Sequence, residues 1–214
     1  MTKLLGIETC TTICSVALWD GKHVHEKINR SPRSHSKSLL PMIAALLAEQ
    51  QLSISDIDAL ACARGPGSFT GVRIGVGVVK GLAFGQDLPI IPVSPLAAIA
   101  YRVIQQTQAS RVTALLDARM GELYAADYEN KAGLPLLIGN ERLTDIAHLT
   151  FSGQTVAGTG AEEYADILST KAVSIAAAVY PYAADIVGLA RHAMQTAVSA
   201  TDFTPLYLRD KVTD

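Results

Sequence analysis

The sequence predicts a two-lobed α/β fold made by duplication, and three observations carry that prediction. Leu4-Leu5-Gly6-Ile7-Glu8 is a short apolar strand ending in an acid, and Val112-Thr113-Ala114-Leu115-Leu116-Asp117 repeats the pattern in the second half. Each is followed by a small turn and a second strand: Cys14–Trp19 in the first copy, and Glu122–Tyr128 after Ala118-Arg119-Met120-Gly121 in the second. A third strand follows in both, near Val24–Ile28 beyond an Asp20-Gly21 hairpin and again beyond Asn130–Gly133, before the pattern turns helical. The expected lobes are residues 1–106 and 107–214, and 49% hydrophobic residues suffice for one large core or two small ones.

The remaining elements follow in order. Ser36–Gln51 reads as an amphipathic helix, with Leu39, Leu40, Ile43, Leu46 and Leu47 at helical spacing and Pro41 tolerated only in its early turns. Asp58–Ala63 is small and apolar, as a strand buried on both faces would be, and Gly65-Pro66-Gly67 then breaks the chain. Ser68 or Thr70 is placed to cap a helix over Gly71–Gly85. Pro89–Val93 is a short strand, and Ser94-Pro95 opens a helix over Leu96–Gln106 with proline at its first position. Thr155–Gly158 followed by Thr159–Tyr164 reads as strand, glycine turn and helix; a last helix is expected over Ala183–Val198, before the tail Pro205–Arg209.

The Gly71–Gly85 helix is costly on its own. Each interior glycine disfavours a helix by roughly 0.8 to 1 kcal/mol relative to alanine, so a compensating contact is required. Gly71 and Gly75 are four apart, as are Gly77, Gly81 and Gly85, and residues four apart share a face. Val72, Ile74, Val76, Val78, Val79, Leu82 and Phe84 make the helix apolar nearly all round, a pattern of burial. Either both packing partners lie within this chain, or the second is another subunit.

Composition narrows the chemistry. A net charge of −2 does not fit a nucleic-acid binder acting alone. A local basic stretch, Lys22 to Lys37 with Lys27, Arg30 and Arg33, reads either as a solvated face or as an RNA contact. The glycine-rich helix, interrupted by Arg73 and Lys80, is too short and too charged for a membrane span. The amino terminus runs straight into a strand without a signal-peptide layout, so a cytoplasmic location is expected. Cys10, Cys14 and Cys62 form no C-x-x-C pair and read as buried thiols.

Glu8 and Asp117, each ending the first strand of its copy, are candidates to hold a nucleotide's metal and phosphates; equally, each braces the turn after its strand. Gly65-Pro66-Gly67-Ser68 stands at a helix start but lacks P-loop spacing. The five histidines are scattered outside any H-E-x-x-H or H-x-x-x-H arrangement, no G-x-S-x-G elbow is present, and no catalytic or metal-ligating set is read.

Several blocks together resemble the TsaB family, also called YeaZ: Gly6-Ile7-Glu8-Thr9, Arg33–Ile43, Arg64-Gly-Pro-Gly-Ser-Phe-Thr-Gly-Val-Arg-Ile-Gly75 with Lys80–Ala83, Val93–Leu96, Leu116–Tyr124 and Pro205–Arg209. The resemblance implies the two-lobed actin-like ATPase fold (ASKHA, a ribonuclease H-like duplication). It also implies a non-catalytic part in making N6-threonylcarbamoyladenosine at position 37 of tRNAs reading codons that begin with A. In that family the partner TsaD carries the metal-binding histidines and transfers the group to the base, and an ATPase, TsaE, joins the complex. The His-x-x-x-His pair of TsaD is absent here, since His35 is followed at the fourth position by Leu39.

By the same resemblance TsaD is met through helices of the amino-terminal lobe. The implied surface is Leu39, Leu40, Ile43, Leu46 and Leu47 with Phe69, Gly71, Val72, Ile74, Gly75, Val78, Gly81 and Leu82. A homodimer through the same face is expected when TsaD is missing, and tRNA contact is expected to be indirect. No cofactor is required; weak ATP or ADP binding is left open at Glu8, Thr9, Thr11, Asp117, Gly158 and Gly160. Glu8 stands where many members have aspartate in the first phosphate loop, which argues against autonomous ATP hydrolysis. An ATPase or small-molecule kinase is the alternative reading; a metallopeptidase has little support.

Overall fold

A computed structural model describes residues 1–31, 34–171, 173–176 and 179–209. Arg33, part of both the basic stretch and a family block, lies outside the described residues. In the first half, β1 (Leu4–Glu8), β2 (Cys14–Trp19), β3 (Val24–Asn29), α1 (His35–Glu49), β4 (Ala59–Ala63), α2 (Phe69–Gln86) and β5 (Ile90–Val93) follow one another. Next come α3 (Pro95–Thr107), β6 (Arg111–Arg119), β7 (Glu122–Lys131), β8 (Leu134–Thr144) and β9 (Thr155–Ala157). The short α4 (Thr159–Glu163) and α5 (Ala165–Ser169), β10 (Ser174–Ala176) and α6 (Ala183–Ala190) complete the chain.

The duplication is visible in the sheets. One has the order β3-β2-β1-β4-β5, and the other, read from its far edge, β8-β7-β6-β9-β10. In both copies the first three strands form an antiparallel meander, and the fourth and fifth add in parallel beside the first. This is the duplicated α/β architecture of the actin-like fold that the strand pattern and the resemblance led one to expect.

The chain divides into two units, Met1–Pro95 with Tyr182–Leu206, and Leu96–Pro181 with the tail from Tyr207. The division differs from the boundary after residue 106 at two helices. α3 belongs to the second unit because Leu96, Ile99, Val103 and Ile104 pack into one core with Val112, Ala114, Leu116 and Tyr128. α6 belongs to the first. Gly6 leaves room for it, since a Cβ there would stand 2.3 Å from Val187 Cγ2. Its opening amides are held by the first sheet as well: Ala183 N donates to Ser15 Oγ and Ala184 N to Glu26 Oε1, both at 2.8 Å.

The last helix is shorter than its sequence suggests. After Ala190 the chain turns away so that Val198 can exchange two 2.8 Å backbone hydrogen bonds with Ile90 at the edge of β5, which a continuing helix would forbid. Residues 199–206 then run back along α2: Lys80 Nζ donates to the Phe203 carbonyl at 3.0 Å, Phe203 is buried, and Leu206 N donates to Arg64 O at 2.8 Å. All three cysteines are free and buried. Among the described residues, no helix is long and apolar enough to cross a membrane.

Two glycines of the second unit separate backbone strain from close contact. Gly153 (φ +78°) has open space where a Cβ would go, whereas at Gly158 (φ +112°) the added atom would stand 2.0 Å from Leu115 O. Gly153→Ala is expected to cost about 1 kcal/mol through its left-handed backbone, and Gly158→Ala at least about 2 kcal/mol more. Urea denaturation of both variants measures the difference; equal losses would refute the contact with β6.

Candidate functional site

The glycines around α2 form two ladders with different surroundings. On the inner one, a Cβ at Gly67 would lie 2.4 Å from Cys10 O, at Gly71 2.0 Å from Thr9 O, and at Gly75 2.4 Å from Thr9 Oγ1. The turn between β1 and β2 is therefore the surface on which α2 and its leading loop sit. Hydrogen bonds complete the contact: Thr9 Oγ1 donates to Gly71 O at 2.8 Å, and Ser68 N donates to Cys10 O at 2.7 Å. Ser68 is the N-cap, its hydroxyl accepting from Gly71 N.

On the outer ladder, a Cβ added at Gly77, Gly81 or Gly85 would meet nothing within 4 Å beyond the helix itself among the described residues. Around them lie Ile74, Val78 and Leu82, half-buried, and Phe84, 84% exposed. No charged residue interrupts this face; Arg73 and Lys80 stand at its margin, with the Arg73 guanidinium stacked 3.6 Å from the Phe69 ring centroid. Beside it, α1 exposes Leu40, Pro41, Ala44, Ala45 and Ala48. An apolar groove of about 430 Å³ is lined by both helices, with Ile43 and Leu47 from α1 and Leu82 from α2, and extends to Leu52 and Ile54.

The structure thus sorts the expected interface residues. Leu40, Phe69 and Gly81 are exposed, Ile74, Val78 and Leu82 are half-buried, and Ile43 and Leu47 reach the groove. Leu39, Leu46 and Val72, each 1% exposed, belong to this unit's own core, and Gly71 and Gly75 are spent on the β1–β2 turn; these five are corrected from partner contacts to internal packing. The sequence reading also took Phe84 as buried, because apolar character by itself does not separate a core face from an exposed one. Phe84 lies three residues after Gly81 on the outer ladder's face, and that spacing is the signal that would have found it.

Most candidates for nucleotide contact have local partners, although Glu8 Oε2 is buried without a hydrogen-bond partner among the described residues. Glu8 is fully buried, and its Oε1 accepts from Cys10 N at 2.6 Å. Thr11 Oγ1 accepts from Ile13 N, and the Thr11 carbonyl is bonded to His35 Nε2 at 2.9 Å. In the second unit Asp117 Oδ1 accepts from Arg119 N at 2.7 Å, and Asp117 Oδ2 pairs with the Arg119 guanidinium at 3.0 Å. Both acids brace the turn after their strand. Gly158 and Gly160 make room for β6 and β7: a Cβ at Gly160 would stand 2.5 Å from Leu123 Cδ2 and 3.0 Å from Leu115 Cβ. Burial pushes the Glu8 carboxyl up to about 8, with a further rise from Asp185 opposed by the Cys10 hydrogen bonds. A buried acid that stays protonated, beside a threonine whose hydroxyl is already donated, does not fit a magnesium–phosphate site.

The basic stretch is dispersed. Lys27 Nζ bonds Glu49 at 2.6 Å, Arg30 donates to the Tyr182 hydroxyl at 2.8 Å, and Lys22 and Lys37 are exposed.

Comparison with known proteins shows the chain's family. The family model described as TsaD, tRNA N6-adenosine threonylcarbamoyltransferase, matches residues 26–213. The chain is 38% identical to the tRNA threonylcarbamoyladenosine biosynthesis protein TsaB of Escherichia coli K12 over 98% of its own length and 96% of the relative's. It is 51% identical to TsaB of Haemophilus influenzae over 56% of this chain and 51% of that one. The crystal structure of YeaZ from Pseudomonas aeruginosa superposes with a TM-score of 0.91 at 38% identity, covering 97% of this chain and all of that one.

The state of Glu8 has a pH signature. Below pH 4.5, its ordinary value, native and unfolded chains both hold the proton; between there and about 8 only the native chain does, so this group's contribution to stability falls as pH rises. Glu8→Gln removes that slope. Its stability relative to wild type is expected to climb by on the order of 4 kcal/mol from pH 5 to pH 8 and then level off. Chemical denaturation at four or five pH values measures it; a difference that stays flat would mean Glu8 is ionised in the folded protein.

Proposed function

Because the chain belongs to the TsaB family of tRNA threonylcarbamoyladenosine biosynthesis proteins, we propose that it is the non-catalytic subunit that binds TsaD through the outer face of α2 and the neighbouring face of α1. The observation that carries the reading is the outer glycine ladder. Among the described residues, a Cβ at Gly77, Gly81 or Gly85 would meet nothing within 4 Å beyond the helix itself, yet the interior Gly77 and Gly81 weaken the helix by roughly 0.8 to 1 kcal/mol each relative to alanine. That cost is offset when a partner helix comes close enough to touch the α2 backbone, an approach that side chains at these positions would prevent.

Phe84 supplies a large apolar anchor at one end of this face, and the α1/α2 groove supplies a concave surface beside it. Binding here acts on the reaction by stabilising the competent state of TsaD, so the subunit needs no catalytic group of its own. TsaE recruitment belongs to the assembled pair, tRNA contact is made chiefly by the partner, and no nucleotide is required by this chain. In the absence of TsaD the same face closes on a second copy, since an exposed apolar strip favours burial.

Gly81→Leu tests the assignment with little risk to the fold, because the space around Gly81 is open and leucine is the better helix former. Wild type is expected to sediment as a heterodimer with its own TsaD, and the variant as separate components with an equal or higher melting temperature. A variant that binds as wild type does would remove this face from the interface. Wild type that ignores TsaD but hydrolyses ATP with magnesium, in a manner lost in Glu8→Gln, would replace the scaffold by the ATPase reading.

A further inference from the structure

We infer that the β1–β2 turn is the positioning element for the partner face, with Thr9 as the residue that sets the height and register of α2. The inference rests on the proposed binding of TsaD at the outer ladder. Gly71 and Gly75 are one turn apart on the inner side of the helix, and both meet the same residue: the Thr9 carbonyl lies where a Gly71 Cβ would be, and the Thr9 hydroxyl where a Gly75 Cβ would be. The hydroxyl also donates to Gly71 O at 2.8 Å, fixing the helix along its axis as well as in depth. Thr9 is 1% exposed and touches no part of the outer face, so it acts on a partner only through α2.

The other restraints on the helix include polar ties at separate points. Ser68 N is held by Cys10 O at its start, and Lys80 Nζ by the Phe203 carbonyl further along. Val72 and Val79 pack into the core beneath and Gly67 meets Cys10 O, so Thr9 shares the setting of depth with them, whereas a lysine side chain follows a helix that shifts by an ångström. The contact of Gly71 and Gly75 with Thr9 has no such slack, since the atoms that would collide at Gly71 are backbone. A face that binds by close backbone approach depends on that depth: displacement of the outer ladder by a fraction of an ångström opens or closes every contact along it at once.

The geometry supplies its own rescue experiment. Gly75→Ala puts a methyl against Thr9 Oγ1 at 2.4 Å, a clash that Thr9→Ala relieves; Gly71→Ala meets the Thr9 carbonyl at 2.0 Å, which no change of the Thr9 side chain relieves. TsaD affinity is measured by titration calorimetry at a temperature where circular dichroism reports each variant folded. Gly75→Ala is expected to weaken binding by about thirtyfold or more, and the double variant Thr9→Ala/Gly75→Ala to regain about tenfold of that, keeping only the loss that follows from the missing Thr9 hydroxyl, with Gly71→Ala weak in both backgrounds. Gly81→Leu is run beside them. If it binds as wild type does, the interface assignment fails and this inference falls with it. If Gly81→Leu loses TsaD while folded Gly75→Ala keeps full affinity, or the double variant is not rescued, the interface stands and the positioning role of Thr9 is overturned. Should Gly75→Ala not fold, Thr9→Val, which keeps the shape but cannot donate to Gly71 O, takes its place: a loss of about threefold or more supports the role, and unchanged affinity overturns it.

Discussion

The structure of the first unit depends on how closely α2 lies against the turn that follows β1. Gly67, Gly71 and Gly75 are all in contact with Thr9 or Cys10 at distances that exclude a side chain. With the helix this close, the loop after β4 can be tied to Cys10 O, Val72 and Val79 can fill the core beneath, and the residue 199–206 segment can pack along the helix through Lys80 and Phe203. The same rotation about the helix axis leaves Gly77, Gly81 and Gly85 outward. One steric constraint therefore decides both what the unit buries and what it offers to a partner.

The second unit uses the same device on a smaller scale. After β9, as after β4, a glycine with positive φ breaks the chain: Gly158 at +112° and Gly65 at +95°. The helix that follows then sits against the strand that opens the copy, through Gly158 and Gly160 on Leu115 in β6. α4 stops within five residues, whereas α2 runs for eighteen and carries its second ladder. The repeat was copied in its packing rule, while α2 carries a long exposed face that α4 is too short to offer.

Electrostatics separates the two acids that the sequence pairs. Glu8 ends β1 and Asp117 lies two residues before the end of the equivalent β6, and each accepts a hydrogen bond from the amide two residues on. Glu8 is wholly buried, so desolvation holds it protonated into the neutral range, while half-buried Asp117 pairs with the Arg119 guanidinium. A neutral acid under a packed helix is a bracing group, and the turn it braces is the one on which α2 rests.

Most strands along the chain, β10 excepted, were legible in the sequence because their signals are local: apolar runs ending in an acid, tight turns at Asp20-Gly21, and breaks at Gly65-Pro66-Gly67 and Gly158. The family resemblance rested on the same kind of contiguous residues, and the spacing by four announced the two glycine ladders. Three things were decided only by tertiary structure. Which ladder faces inward depends on Thr9, a residue 62 positions from Gly71 in the chain. α6 stops at Ala190 because Val198 is claimed by Ile90, and the unit boundary falls at the first residue of α3 because that helix finds its core on β6. The physical reason is common to all three: helix periodicity states that a face exists, whereas its direction is set by contacts between segments far apart in the chain, which no local pattern records.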